Sequence, residues 1–242
     1  MRNQNNTRVA IWGICFLCSA LTLTLGLKAY ADPYIDMNIP SQTTGSVSYG
    51  GGATDPLVGT NLAVDIITGM GTPTNAGEHA TCIACVLSFE TGSYSGNNGT
   101  TYQFAGGGVI RVVGGVDLNG DNSIDNGEPS GTLLLGTFLG TSNVAPVLGS
   151  STLKLDVSVI LDVENNDLSA FWGLRSLGLG TLDLIFLASG QPPDAFTSTN
   201  VGVLGVGDID TYSTPVPEPS TLLLLGSGLV GLVGYGWRRH RQ

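Results

Sequence analysis

Hydrophobic and polar residues alternate along the middle of the chain, and the clearest run extends over Thr152–Glu164. Leucine and valine occupy nearly every second position of this run, between polar or charged residues. A period of two over such a length is typical of a β-strand with one buried side and one side facing water. The phase predicts that Leu161 and Val163 are buried and that Glu164 adjoins the wet side.

Shorter runs of the same kind predict further strands, separated by turns rich in glycine, asparagine, serine and proline. They lie at 34–38, 62–66, 85–89, 101–105, 109–113, 132–139, 181–188 and 203–211, and a short helical turn is predicted at 168–174. Many strands without alternating helices predict an all-β domain over residues 32–212. The expected architecture is an antiparallel β-sandwich or jelly roll.

The first 31 residues depart from this pattern. Arg2 and Arg8 precede an apolar stretch at 9–27, which is followed by small residues at Ala29 and Ala31. A basic start, an apolar stretch and an A-x-A site in this order predict a secretory signal peptide that signal peptidase removes after Ala31. The alternative is an N-terminal membrane helix that is retained.

The other end carries a second apolar segment. A linker at 213–220 precedes seventeen uncharged residues at 221–237, which reach the lower limit of roughly 17–25 residues for a membrane-spanning helix. The basic tail at 238–242 should stay in the cytoplasm and stop transfer. The residues concerned are Val216, Pro217, Glu218, Pro219 and Ser220 in the linker, and Arg238, Arg239 and Arg241 in the tail.

The sequence Val-Pro-Glu-Pro-Ser, an apolar span and an arginine-rich end together resemble the PEP-CTERM sorting signal. In that family the integral-membrane enzyme exosortase recognises the Pro-Glu-Pro and processes the tail. The resemblance covers residues 215–242. It implies an outer-membrane bacterium that exports polysaccharide, and a membrane-anchored precursor whose product belongs to the cell surface or the extracellular matrix.

Between its two ends the chain is strongly acidic. Residues 32–218 hold three basic and nineteen acidic side chains, which gives a formal charge of −16. This charge excludes nucleic acid as a partner, because binding to phosphates needs a basic surface. It favours cations as partners, and it also keeps an exported protein soluble.

Residues 117–128 are rich in aspartate and asparagine. They resemble the twelve-residue calcium loop of EF-hands and dockerins. Asn122 stands at the sixth position, which is usually glycine, and asparagine enters the left-handed region more readily than most residues. Because strands are predicted on both sides, we expect a structural Ca²⁺ site rather than a helix-opening switch. A hairpin loop without an ion is the alternative. The ligands would be Asp117, Asn119, Asp121, Ser123 (through its carbonyl), Asp125 and Glu128.

Cys82 and Cys85 are the only cysteines between the two processed ends. Export brings them into an oxidising compartment, where a disulfide is the expected state. The alternatives are two free thiols, or a metal site that also includes His79.

Signals for catalysis are few. His79 is the one histidine of residues 32–218, and no nucleophile motif accompanies it. The leading interpretation is therefore a non-enzymatic, exported protein of the cell surface or of the exopolysaccharide matrix. A secreted carbohydrate-binding module and a glycan-active hydrolase are the alternatives; the hydrolase would use a pair among Glu78, Glu90, Glu128 and Glu164.

Overall fold

The computed structural model describes residues 32–212, except 42, 149, 176 and 203–206 and the side chains of 158, 159, 177, 207 and 208. Within this part, no helix is both long and apolar enough to cross a membrane. Several predicted features lie outside the described residues. These are the signal peptide with Ala29 and Ala31, the linker with its sorting motif, the span at 221–237, and the tail with Arg238, Arg239 and Arg241.

The described chain forms thirteen strands and one short helix, α1, at Asn166–Phe171. All strand pairs are antiparallel, which confirms the prediction of an all-β antiparallel fold. The strands are β1 Tyr34–Asn38, β2 Ser46–Tyr49, β3 Pro56–Met70, β4 His79–Asn98, β5 Thr101–Phe104, β6 Val109–Asp117, β7 Ser130–Phe138, β8 Ser142–Pro146, β9 Thr152–Glu164, β10 Leu177–Leu187, β11 Phe196–Ser198, β12 Asn200–Val201 and β13 Gly207–Tyr212.

These strands form one sheet that folds over itself. Hydrogen-bonded neighbours follow the order β3, β1, β13, β10, β9, β7, β6 and β4, and β4 pairs again with β3. Each of these eight strands therefore has a neighbour on both sides. The short strands β2 and β11 extend from β3, while β5 and β8 connect β4 to β9. The result is a β-sandwich-like fold whose curved sheet encloses a single core.

Large aromatic side chains fill that core. Phe104, Phe186 and Trp172 are fully buried, and burial of a side chain of this size contributes about 1.5–3 kcal/mol. Trp172 directly follows α1, whose first turn is capped by the side chain of Asn165. The indole ring packs against the backbone of Gly69 on β3, where an added Cβ would collide with it. Helix α1 thus anchors a large apolar side chain against the sheet.

Strand β9 has the predicted bounds, but its pairing with β10 contains an irregularity. Val157 pairs with Leu182, whereas Ile160 pairs with Gly180, so two residues of β9 lie opposite one residue of β10. Such a bulge shifts the alternation of the two strand faces by one position.

The two faces of β9 are consequently exchanged beyond the bulge. Leu155 is buried before it, as the alternation predicts. After it, Asp162 and Glu164 are 0% and 2% exposed, while Leu161 and Val163 are 42% and 52% exposed. The prediction that Glu164 adjoins the wet side of the strand is therefore wrong, because the register is set by the neighbouring strand rather than by the local pattern.

Other differences concern lengths and short elements. Strands β3 and β4 have 15 and 20 residues and are much longer than the predicted segments 62–66 and 85–89. Strands β2, β8, β11 and β12, of two to five residues, have no counterpart among the predicted segments. The predicted helical turn corresponds to α1.

Candidate functional site

The predicted calcium loop connects two neighbouring antiparallel strands. Asp117 is the last residue of β6, and Ser130 is the first residue of β7. The amide of Val116 donates to the carbonyl of Pro129 at 2.9 Å and closes the base of the loop. The loop lies between strands, as the sequence pattern predicted.

Asp117 organises the backbone of this loop. Its side chain is 2% exposed, and it accepts hydrogen bonds from the amides of Asn119 at 3.2 Å, Gly120 at 2.6 Å and Asn122 at 2.7 Å. Burial acts to raise the pKa of Asp117, but these backbone donors outweigh it and hold the pKa below its ordinary value. Asn122 adopts a left-handed conformation with φ of +64°, as expected for the sixth position.

The remaining predicted ligands make contacts within the same loop. The amide nitrogen of the Asn119 side chain lies 3.3 Å from Asp125 Oδ2 and 3.5 Å from Asp121 Oδ2. Glu128 accepts from the backbone amides of Leu118 at 2.8 Å and of Asp125 at 2.9 Å. The carboxylates of the loop are thus held by backbone and amide donors. The amide of Ser123 donates to Asp121 Oδ1 at 2.9 Å.

Carboxylate and carbonyl oxygens are the ligands that calcium prefers, so the donor chemistry of the loop fits this ion. Within the described part of the chain, no group of three or more Asp, Glu, His or Cys side chains is gathered so that it could hold a metal. Calcium binding at residues 117–128 therefore stays a prediction.

The two cysteines of β4 form a disulfide within the strand. The Cα atoms of Cys82 and Cys85 lie 5.5 Å apart. Between them Ala84 has a left-handed φ of +52°, and the pairing with β6 shifts register over this segment. The disulfide therefore closes a bulge. His79, at the start of the strand, has its Nδ1 2.8 Å from the hydroxyl of Thr68.

The carboxyl groups of Asp162 and Glu164 lie inside the protein, although the alternation along the strand predicts that the polar side faces water. Asp162 and Glu164 both lie on the inner side of β9. The Asp162 carboxyl lies over the backbone of β10, since a Cβ added at Gly178 or Gly180 would be 3.4 or 3.7 Å from its oxygens. The absence of side chains at these two glycines leaves room for the buried carboxyl group.

Few hydrogen bonds stabilise the buried carboxyl groups of Asp162 and Glu164. The hydroxyl of Ser169 donates to Glu164 Oε2 at 2.8 Å, but Glu164 Oε1 and both carboxyl oxygens of Asp162 have no hydrogen-bond partner in the described structure. Burial is the larger cause and the charge on Glu164 the smaller one, and together they raise the pKa of Asp162 to about 7. Burial also raises the pKa of Glu164, against the hydroxyl groups of Thr211 and Ser169. The pair therefore holds a proton close to neutral pH.

A second acidic group lies on the outer side of the sheet. Asp36 of β1 stands in register between Asp210 of β13 and Thr68 of β3. Partial burial raises the pKa of Asp36, and the charge on His79 opposes this effect. Asp36 and Asp210 add to the negative potential of the surface, and they lie side by side on the neighbouring strands β1 and β13 rather than in a cleft.

Two open pockets lie near the end of the sheet that contains β2, β8 and β11. One, of about 320 Å³, is lined by residues 146, 150–153 and 188–191, and the other, of about 650 Å³, by residues 48–50, 189 and 195–197. Their linings contain no charged side chain. Tyr49 and Phe196 line the second pocket, but they are only 3% and 5% exposed and present no open ring to a sugar.

Comparison with known proteins concerns the C-terminal residues. A family model described as the PEP-CTERM protein-sorting motif matches residues 215–241, which include the Val-Pro-Glu-Pro-Ser segment and the arginines of the tail. No curated protein and no solved structure matches the chain. The motif marks exported proteins whose precursors are anchored in the membrane. The chain therefore carries a PEP-CTERM sorting motif and is an exported protein that exosortase processes.

Proposed function

We propose that this chain is a non-enzymatic structural protein of the cell surface or exopolysaccharide matrix of an outer-membrane bacterium. The observation that carries the proposal is the sorting motif at 215–241, placed directly after a closed and acidic β domain. Signal peptidase would remove residues 1–31, and exosortase would act at the Pro-Glu-Pro segment. The product would then remain outside the cell.

The construction of the domain supports a role outside the cell. The closed path of eight strands leaves few free strand edges, and free edges are sites of aggregation. The disulfide at Cys82 and Cys85 suits an oxidising compartment. The formal charge of −16 over residues 32–218 favours solubility and contact with cations within a hydrated polysaccharide.

The positions of the carboxyl groups support a non-enzymatic role. A glycan hydrolase needs two carboxyl groups facing each other across an open cleft, about 5–10 Å apart. Asp162 and Glu164, whose pKa values are raised by burial, are instead enclosed in the core. The two pockets described above are lined by neutral residues.

We also propose that residues 117–128 bind calcium once the protein is outside the cell. The twelve-residue spacing of oxygen donors and the left-handed Asn122 support this role. Asp117, Asn119, Asp121, Ser123, Asp125 and Glu128 would hold the ion, which would offset two of the four negative charges of the loop and stiffen it.

The sorting proposal is tested by replacing Pro217, Glu218 and Pro219 together with alanine in a bacterium that contains exosortase. We expect the wild-type chain to be processed and to leave the inner-membrane fraction. The variant should stay in that fraction at full length. A control with Ser213→Ala and Thr214→Ala changes the same linker outside the motif and should behave as wild type. An equal distribution of the triple variant and the wild type would refute the proposal.

A further inference from the structure

The outer side of strands β7, β9 and β10 carries an exposed apolar surface. Leu135, Leu161, Val163 and Leu179 are 47%, 42%, 52% and 51% exposed. Leu135 is the cross-strand partner of Val163, and Leu161 is the partner of Leu179. The four side chains therefore form two adjacent rows, which we call the apolar face. Contiguous exposed apolar residues, unlike scattered ones, mark interaction sites.

The apolar face lies beside the point where the described chain leaves the domain. Tyr212, the last described residue, is the cross-strand partner of Leu179. Residues 213–220 separate Tyr212 from the apolar segment at 221–237. Even when fully extended, a linker of this length reaches only about 30 Å. The apolar face is consequently held close to the bilayer for as long as the C-terminal segment is anchored there.

Two of the three basic residues of the domain lie beside the same surface. Of the three in residues 32–218, Arg111 is the cross-strand partner of Leu135, and Arg175 lies two residues before β10, whose first residue pairs with Val163. The third, Lys154, lies 3.6 Å from Asp156 and 3.1 Å from Asp183. In a strongly acidic domain, the apolar face is thus flanked by two arginines.

This combination is suited to a lipid surface. Leucine and valine side chains can enter the boundary between headgroups and acyl chains, while arginine binds lipid phosphates. The negative charge elsewhere on the domain is repelled by anionic lipids and turns those surfaces away from the membrane.

We propose that the apolar face docks on the bilayer in which the C-terminal segment of the precursor is anchored. This inference rests on the membrane-anchored precursor of the proposed function. Docking fixes the orientation of the domain and keeps the linker with Glu218 at the membrane surface, where exosortase meets it. Once the C-terminal segment has been removed, the domain is no longer held at the bilayer, and the apolar face can leave it.

The test uses the full chain in nanodiscs of phosphatidylethanolamine and phosphatidylglycerol, with Cys15 and Cys18 replaced by serine. Leu161→Cys and Leu179→Cys variants are labelled with an environment-sensitive fluorophore without reductant, so that the native disulfide is kept. Asn98→Cys, at the exposed β4–β5 turn, is the control. Quenching by a lipid that carries a nitroxide near its headgroup reports contact with the bilayer.

We expect quenching at positions 161 and 179 to be at least about twofold stronger than at position 98. Replacing phosphatidylglycerol with a neutral lipid, or Arg111 with glutamine, should reduce this difference. Equal quenching at the three positions would overturn the proposal. Protection that persists in detergent and grows with protein concentration would also overturn it, because a second copy of the chain would then cover the face. A chain that elutes apart from the discs would instead refute the membrane anchor itself.

Discussion

The carboxyl groups of Asp162 and Glu164 lie two residues apart on the inner side of β9, and only that of Glu164 receives a hydrogen bond from a neighbouring hydroxyl group. Burial and the charge on Glu164 raise the pKa of Asp162 from 3.8 to about 7. Between these two values the folded protein binds more protons than the unfolded chain. The free energy of unfolding must therefore fall as pH rises through this window.

We predict that the wild-type protein is more stable at pH 5 than at pH 8, by at most about 3 kcal/mol from Asp162. The raised pKa of Glu164 acts in the same direction. The lowered pKa of Asp117 changes stability in the opposite direction with pH. Because this pKa lies below 3.8, its effect falls outside the range from pH 5 to pH 8. Urea unfolding at a series of pH values measures the dependence. Asp162→Asn should raise stability at pH 8 and flatten the curve, whereas the exposed control Asp194→Asn should leave it unchanged. A wild-type stability that rises from pH 5 to pH 8 would contradict the assignment.

Ala84→Gly should stabilise the protein by about 1 kcal/mol, because the left-handed conformation at this position costs an alanine roughly that much and costs glycine little. Thermal or urea unfolding under oxidising conditions measures the change. Ala63→Gly, in the interior of β3, is the matched control and should destabilise. If both substitutions destabilise to the same extent, the strained bulge between Cys82 and Cys85 is not present.

Gly69→Ala should destabilise the domain by about 1–3 kcal/mol, because the added methyl group would collide with the indole ring of Trp172. Gly190→Ala is the control, since its nearest contact would be 3.2 Å from the carbonyl of Ala195 and the neighbouring loop can adjust. Urea unfolding followed by near-ultraviolet circular dichroism reports both stability and tryptophan packing. An unchanged midpoint for Gly69→Ala would show that Trp172 does not pack on β3.

Calcium binding at residues 117–128 predicts measurable heat when the ion is titrated into the purified protein. Asp121→Ala removes one of the proposed ligands and should weaken binding by at least about tenfold. Asn122→Gly should bind at least as well as wild type, because glycine adopts the left-handed conformation of this position freely. Identical heats for wild type and Asp121→Ala would remove the calcium proposal.

The alternation of polar and apolar residues predicts most of the longer strands, but it does not predict the register between them. The alternation over Thr152–Glu164 gave the bounds of β9, since its polar and apolar positions are local properties. The bulge that exchanges its faces arises from the pairing with β10, and no residue of β9 signals it. The alternation of glycine with leucine at 177–180 was an available signal, because glycines in a strand mark a close approach of other groups.

Candidate sites that depend on neighbouring residues can be predicted from the sequence, whereas those that depend on strand pairing cannot. The loop at 117–128 was found from its spacing, and the backbone contacts of Asp117 depend only on neighbouring residues. The burial of Asp162 and Glu164 and the exposure of Leu161 and Val163 depend on which side of β9 faces inward, and both follow from the one bulge. Short strands such as β2 and β8 were missed because four or five residues give too little alternation to be distinguished from a loop.

Intact-mass spectrometry of the native protein, purified from isogenic cells with and without exosortase, tests its assignment as a sorted surface protein most directly. In cells with exosortase, the mature chain should lack the residues beyond the Pro-Glu-Pro segment at 217–219. In cells without the enzyme it should end at Gln242 and remain in the membrane fraction. A chain that ends at Gln242 in both strains would contradict the sorting of this protein by exosortase.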